Sequence, residues 1–384
     1  MRSKSAPIGN GGVLIEPFSS RAEVELLDGL FARAAEASGD RAREMSLAQE
    51  IGTGAGDRSA GLSFGVLATL AAVDVTLARV VEPHLDAVGI LAECPERVDL
   101  DSIGAGGSST WGVFAAETSG LRLDAREAAD GGWVLTGTKP WCSLADELSH
   151  ALVTAHTAAG RRLFAVALQQ PGVISHPELW AARGLPAVPS GPVDFTEVPA
   201  VVVGAAGWYL DRPGFERGGV GVAACWFGGA LGLVRRARAA VRLRPDDDIA
   251  AMHLGRMGAA LLAARSVLAD AARSFDEDER EDSDEGRRGG GGDDSHDDGP
   301  AAGAAPAPRS EAALLAQLTR SVVRRECELV LRECAHLLGP APYATEPEVA
   351  ARAADLGLYL QQDHAERDEA RAGRMLATAE EARR

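Results

Sequence analysis

Residues 131–146, GGWVLTGTKPWCSLAD, hold two of the chain's six tryptophans eight residues apart, and the second is followed at once by Cys142 and Ser143. A large ring beside two small polar side chains suits the lining of a flat pocket. The ring would wall an apolar face, and the short side chains would serve a polar edge. The same residues would also work as a plug at the end of a β domain and a loop turn, and both readings stand at this point. Five cysteines (94, 142, 225, 327 and 334) form an odd set with no CxxC pair, which points to reduced thiols and to no zinc site. Cys142 has no histidine near it in sequence to activate it, so it reads as a small pocket residue. His364 stands alone in a charged C-terminal segment and reads as a surface residue.

The elements that must position these residues follow from pattern. Hydrophobic residues make up 46% of the chain but aromatics only 5%, so alanine and the 44 glycines carry the apolar content and favour closely packed helices. Residues 21–96 repeat apolar positions at helical spacing (Val24, Leu27, Leu30, Phe31), with Pro83 expected to start a new turn. Residues 108–204 change to alternating apolar and polar residues, beginning with a hairpin about Asp130-Gly131-Gly132, and predict a small all-β domain. Four long helices are expected after that, over residues 217–243, 248–275, 311–339 and 347–376. The resulting division is residues 1–107, 108–204 and 205–384.

Charge and hydropathy exclude several classes. The net charge is −17, but residues 276–298 alone hold twelve acidic and three basic side chains. Such a density of like charge predicts a disordered acidic insertion over 276–310. The mildly acidic remainder argues against a nucleic-acid partner. The apolar run 220–234 is short for a membrane span and reads as a buried helix. An N-terminus without an apolar leader fits a cytoplasmic protein.

In this order, the segments resemble the acyl-CoA dehydrogenase superfamily. DGGWVLTGTKPWCS is similar to its G-x-x-x-L-x-G-x-K-x-W-[IC]-[ST] segment, and RGLPAVPSGPVDFTEVPAVVVG to its G-x-R-x-[ST] strand pair ending in V-x-V-P. WGVFAAETSGL occupies the place of its Y-x-x-[ST]-E-P strand. The resemblance implies an α+β, mostly α fold: a helical domain, a central β-barrel and a C-terminal four-helix bundle. It implies FAD between barrel and bundle, held by Phe114, Ala116, Glu117, Thr118, Trp141, Cys142 and Ser143. Trp141 would pack on the flavin, and Ser143 would bond near its N5 edge. It also implies a homodimer or homotetramer, an acyl thioester of CoA or a carrier protein as substrate, and an electron-transfer flavoprotein as partner.

Departures from the family pattern define the alternatives. Ala116 replaces a flavin-binding hydroxyl, and RLRPDDD replaces the R-x-x-F-G motif, so that three aspartates would repel a pyrophosphate. Leu360 stands where most members place the catalytic glutamate. A branch that includes isovaleryl-CoA dehydrogenase carries its base in the first bundle helix, where this chain has Glu216, with Asp211 five residues earlier. Glu216 is therefore the expected base for α,β-desaturation, although an acid in a first helical turn also interacts favourably with the helix dipole. The competing expectations are a flavin-dependent oxidase or monooxygenase on a non-thioester substrate, and a scaffold subunit of the same fold without flavin. Gly218, Gly219 and Gly221 serve either a bulky substrate or close helix packing.

Overall fold

The computed structural model describes residues 3–4, 9–16, 18–54, 58–129, 131–289 and 309–381. A two-residue antiparallel pair, β1 (Ser3–Lys4) and β2 (Phe18–Ser19), precedes four helices: α1 (Arg21–Ala37), α2 (Arg41–Gly52), α3 (Ala60–Val73) and α4 (Val75–Glu93). Ser20 starts α1 with a capping box. Its hydroxyl accepts from the Glu23 amide, and its own amide donates to the Glu23 carboxylate. Asp74 ends α3 with extended backbone and starts α4 by accepting from the Thr76 amide at 2.8 Å. The new turn expected at Pro83 does not occur, because α4 runs through it. Proline there removes only the bond to the residue 79 carbonyl, and the buried Val80, Val81, Ala87 and Ile90 hold the helix on both sides.

Seven strands follow: β3 (Trp111–Phe114), β4 (Leu123–Glu127), β5 (Trp133–Lys139), β6 (His150–Thr157), β7 (Gly160–Ala167), β8 (Val173–Ser175) and β9 (Val193–Val203). The pairing order β6–β4–β5–β9–β7 returns to β6 and closes a barrel, with β3 beside β6 and β8 beside β9. The expected hairpin is β4 with β5, Glu127 opposite Trp133, and Gly131 in the turn has φ +85°. Leu135, Val153, Phe164, Val166, Phe195 and Val198 fill the interior. The ring closes between β4 and β6 through one residue pair, Asp124 with His156.

The chain then returns to helix: α5 (Trp208–Asp211), α6 (Gly214–Arg242), α7 (Asp248–Gly289), α8 (Arg309–Leu338), α9 (Pro340–Thr345), α10 (Pro347–Tyr359) and α11 (Glu366–Glu381). By length and composition α6 could cross a membrane, yet 78% of its most apolar window is buried, so it is the central core helix. It lies against α3 so closely that a Cβ at Gly228 would stand 2.2 Å from the Ala68 carbonyl oxygen.

Two further expectations need correction. The acidic segment does not begin as an irregular loop, because α7 continues to Gly289. Asp276 accepts from the Ala60 amide at the start of α3 (2.6 Å), and Glu279 pairs with Arg217, so fold contacts hold two of the four acids of its first turn. Residues 290–308 of the expected insertion lie outside the described residues. The fourth long helix is two helices, split at 360–365. There Asp363 is buried between Arg324 Nε (3.2 Å) and Arg320 Nε (3.8 Å), its carboxylate accepts from the Ala365 amide, and Ala365 takes φ +46°. Pulling one carboxylate inward under two guanidiniums turns the chain out of the helix.

Candidate active site

After β5 the backbone bonds across to the segment before β9: the Cys142 amide donates to the Gly191 carbonyl (3.0 Å) and the Leu144 amide to that of Pro189 (2.9 Å). Trp141 and Leu144 both take positive φ, +59° and +57°. Left-handed backbone at a bulky residue costs on the order of 1 kcal/mol or more and persists only where the surroundings impose it. Its result here is that the Trp141 ring stays 55% exposed while Cys142 and Leu144 are buried beneath it. Burial pushes the Cys142 thiol up, so it stays protonated and unreactive. Ser143 shares its hydroxyl with Ser190 Oγ at 2.8 Å and accepts from Arg79 Nη2 at 3.1 Å. Two residues apart, an exposed indole and a fixed hydroxyl offer a shelf one apolar face and one polar group.

Arg79 links this shelf to a second feature. Its other amino group is paired with Glu82, one helical turn on, and its guanidinium lies 5.1 Å from the Tyr359 ring centre. Glu82 lines a cavity of about 310 Å³ between α3, α4, α6 and α7. Phe64, Leu67, Leu85 and Gly221 give it apolar walls, and Asp86, Glu93, Arg212 and Arg217 add charge. Burial raises the Glu82 carboxyl above the usual carboxylate range, against the pull of Arg79. Asp86 is likewise raised by burial and held by Arg212 at 3.1 Å, and Arg212 also binds Glu93 at 2.9 Å. A cavity, a buried carboxylate and a guanidinium reaching Ser143 therefore form one line. Sequence reasoning missed Arg79 and Glu82. Their signal is a run of charges on one face of an otherwise apolar helix, Arg79 and Glu82 three residues apart and Asp86 four further on.

The other expected site residues are spread out. Phe114 is buried (2% exposed) in the barrel, its ring filling the space that a side chain at Gly112 would need. Ala116 and Thr118 are exposed beyond the end of β3. Glu117 gathers two cations and an imidazole, with Lys139 Nζ at 3.4 Å, Arg161 Nε at 3.8 Å and His156 Nε2 at 3.1 Å. Lys139 is the buried member, donating also to Thr154 Oγ1 at 2.8 Å.

Glu216 is half-buried and does not belong to the cavity wall, to which α6 contributes Gly214, Arg217, Gly218 and Gly221. At 3.6 residues per turn, Glu216 sits about 200° around α6 from Gly214, on the side away from the cavity. The carboxylates that line the cavity are Glu82, Asp86, Glu93 and Glu279, and Glu216 is not among them. Asp211 is exposed at the end of α5, Leu360 is buried beside Tyr359, and His364 is on the surface, its ring near Asp368. Arg244 is tied to Asp247 and to the Leu337 carbonyl of its own chain.

The Glu117 cluster gives a stability prediction. Glu117→Gln leaves Lys139 buried without its anion; because Glu117 is 39% exposed, the expected loss is about 2 kcal/mol rather than the ~3–5 of a fully buried pair. Burial already lowers the Lys139 pKa, and Glu117 opposes that shift. Without Glu117 the pKa falls further, the folded state binds fewer protons than the unfolded one, and stability rises with pH toward about 10. Denaturant melts at neutral and alkaline pH should therefore show the deficit shrinking; a deficit independent of pH would contradict this account.

Neither a family model nor a curated protein sequence matches this chain. Solved structures match it in fold. KijD3, in complex with FMN and dTDP-3-amino-2,3,6-trideoxy-4-keto-3-methyl-D-glucose, is 18% identical, with a TM-score of 0.68 over 94% of this chain and 93% of its own. TdsC from Paenibacillus sp. A11-2, with FMN and indole, is 15% identical, with a TM-score of 0.71 over 91% of this chain and 96% of its own. Butyryl-CoA dehydrogenase from Megasphaera elsdenii is 15% identical, with a TM-score of 0.70 over 89% and 94%.

Proposed function

We propose that this chain, built on the acyl-CoA dehydrogenase fold, is a flavin-dependent oxidoreductase acting on a small organic substrate in the α4–α6 cavity. The observation that carries the reading is the Ser143–Arg79–Glu82 line joining the Trp141 shelf to that cavity. The shelf fits a flavin: an exposed indole for its flat face, and the Ser143 hydroxyl for a polar edge. A bound flavin would supply hydride or electron transfer. The chain's own residues do the rest. Trp141 and Ser143 orient the ring, Arg79 fixes the Ser143 hydroxyl, and Glu82 takes or returns a proton at the cavity wall.

Two forms of this chemistry remain. In one, an acyl thioester is desaturated, with Glu82 in place of Glu216 as base and an electron-transfer flavoprotein as acceptor. In the other, an oxidase or monooxygenase acts on a non-thioester substrate. The pairing of the cavity's carboxylates favours the second: Glu82 is held by Arg79, Asp86 and Glu93 by Arg212, and Glu279 by Arg217. Each guanidinium opposes the rise that burial gives Glu82 and Asp86 and so limits the basicity that desaturation needs. FMN rather than FAD suits the same reading, since the KijD3 and TdsC structures hold FMN and the RLRPDDD segment offers aspartates where the resemblance would put a pyrophosphate. Self-association into a dimer or tetramer belongs to the proposal, supported by the exposed Leu243, Ile249 and Leu262.

The test is flavin uptake. The purified chain is titrated separately with FMN and FAD, following the visible bands, and Trp141→Ala is compared. Loss of one stacking face should weaken binding about tenfold. Uptake of neither flavin would overturn the proposal and leave a scaffold of the same fold.

A further inference from the structure

Far from the cavity, α7 and α8 bring together His253, Glu333 and His336, whose ligand atoms all lie within 4.8 Å of one another. We propose that these three side chains form a binding site for a divalent transition-metal ion of the zinc type that clamps α7 to α8. Glu333 and His336 are three residues apart on α8 and so share a face. A Glu-x-x-His pair on one helix completed by a ligand from a facing helix is a chelating arrangement that helix bundles support. His253 comes from α7, with Nδ1 2.8 Å from Glu333 Oε2, and its ring centre is 5.7 Å from that of His336.

The donor set selects the ion. Two imidazoles and one carboxylate suit Zn²⁺, Co²⁺ or Ni²⁺, whereas Ca²⁺ and Mg²⁺ require oxygen shells. Tetrahedral coordination at about 2.0–2.1 Å places ligand atoms about 3.3 Å apart, so small side-chain rotations close the set. The exposed side of His336 leaves a fourth position to water. Glu333 is 5% exposed and is approached by Arg256 Nη1 at 3.4 Å and Arg332 Nε at 3.5 Å. Those guanidiniums are 56% and 61% exposed, so both can turn into solvent when an ion takes over the carboxylate. The site is independent of the flavin reading. Glu279, at the cavity, lies 26 residues further along α7 than His253, about 39 Å at 1.5 Å per residue.

The experiment uses the full chain after chelator treatment. Co²⁺ is titrated by visible absorption and Zn²⁺ by calorimetry, with His253→Ala, His336→Ala and Glu333→Gln as variants and His364→Ala as control. One equivalent should bind, at least tenfold more weakly in each of the three variants and unchanged in the control. His336 is exposed, so its replacement tests the site even if His253→Ala disturbs packing. Absence of stoichiometric binding overturns the proposal. So does binding that persists unchanged in His336→Ala, which would assign the ion to the acidic side chains of residues 276–298.

Discussion

Glu82→Gln is expected to lower turnover by about 10²–10⁴-fold, the usual contribution of a positioned acid–base group, while flavin uptake stays as in the parent. The change keeps the side chain's shape and its place against Arg79, so the cavity of about 310 Å³ keeps its form. What it removes is a carboxylate that lines the cavity and, through Arg79, reaches the Ser143 hydroxyl. Burial raises the Glu82 carboxyl, so activity should climb as pH passes upward through that raised value, and the limb should vanish in the variant. Steady-state rates across a pH series, beside a melting curve, make the check. A variant with parent-like turnover and pH profile would remove Glu82 from the chemistry.

The largest stability loss is expected from Gly228→Ala. Its Cβ would lie 2.2 Å from the Ala68 carbonyl oxygen and 2.8 Å from the carbonyl carbon, both backbone atoms that no rotamer change can move. The two helices must separate, at a cost of about 3 kcal/mol, the upper part of the range for overpacked cores. Gly255→Ala is the counterpart on the exposed side of α7, where no atom of the described residues stands within 4 Å of the added carbon. There the gain in helix propensity should stabilise by about 0.8 kcal/mol. Equal effects at the two positions in denaturant titrations would show that backbone propensity, not the α3–α6 approach, sets both.

Periodicity makes most of the fold legible. The alternation about Gly131 predicts β4 and β5, the three-and-four spacing predicts the helical character of α1, and the pattern gives α6 and α8 to within a few residues. It fails where a distant side chain decides the backbone. Nothing local in LQQDHAERD says that Asp363 will be drawn under Arg320 and Arg324, so the split between α10 and α11 is invisible there. Charge density likewise misleads at Asp276 and Glu279, whose partners, the Ala60 amide and Arg217, are remote in sequence. Within the site, Trp141 and Ser143 stand out by residue type. Arg79 and Glu82 do not, because a pair of opposite charges in a helix usually marks solvent. Glu216 stands out through its neighbours in sequence, but the direction it faces depends on how α6 is rotated in the bundle.

A ring of strands is only as tight as its narrowest join. β6 and β7 meet through eight residue pairs, whereas β4 and β6 meet through one. Glu117, bonded to His156 beside that single pair, works as a clasp across the join. Breathing of the barrel should therefore begin there, and the amides of β4 should exchange with solvent deuterium sooner than those of β7. The same carboxylate reaches Lys139, two residues before Trp141. An opening seam therefore tugs on the strand end that carries the shelf, and a ligand seated on Trp141 should slow exchange at a join it never touches.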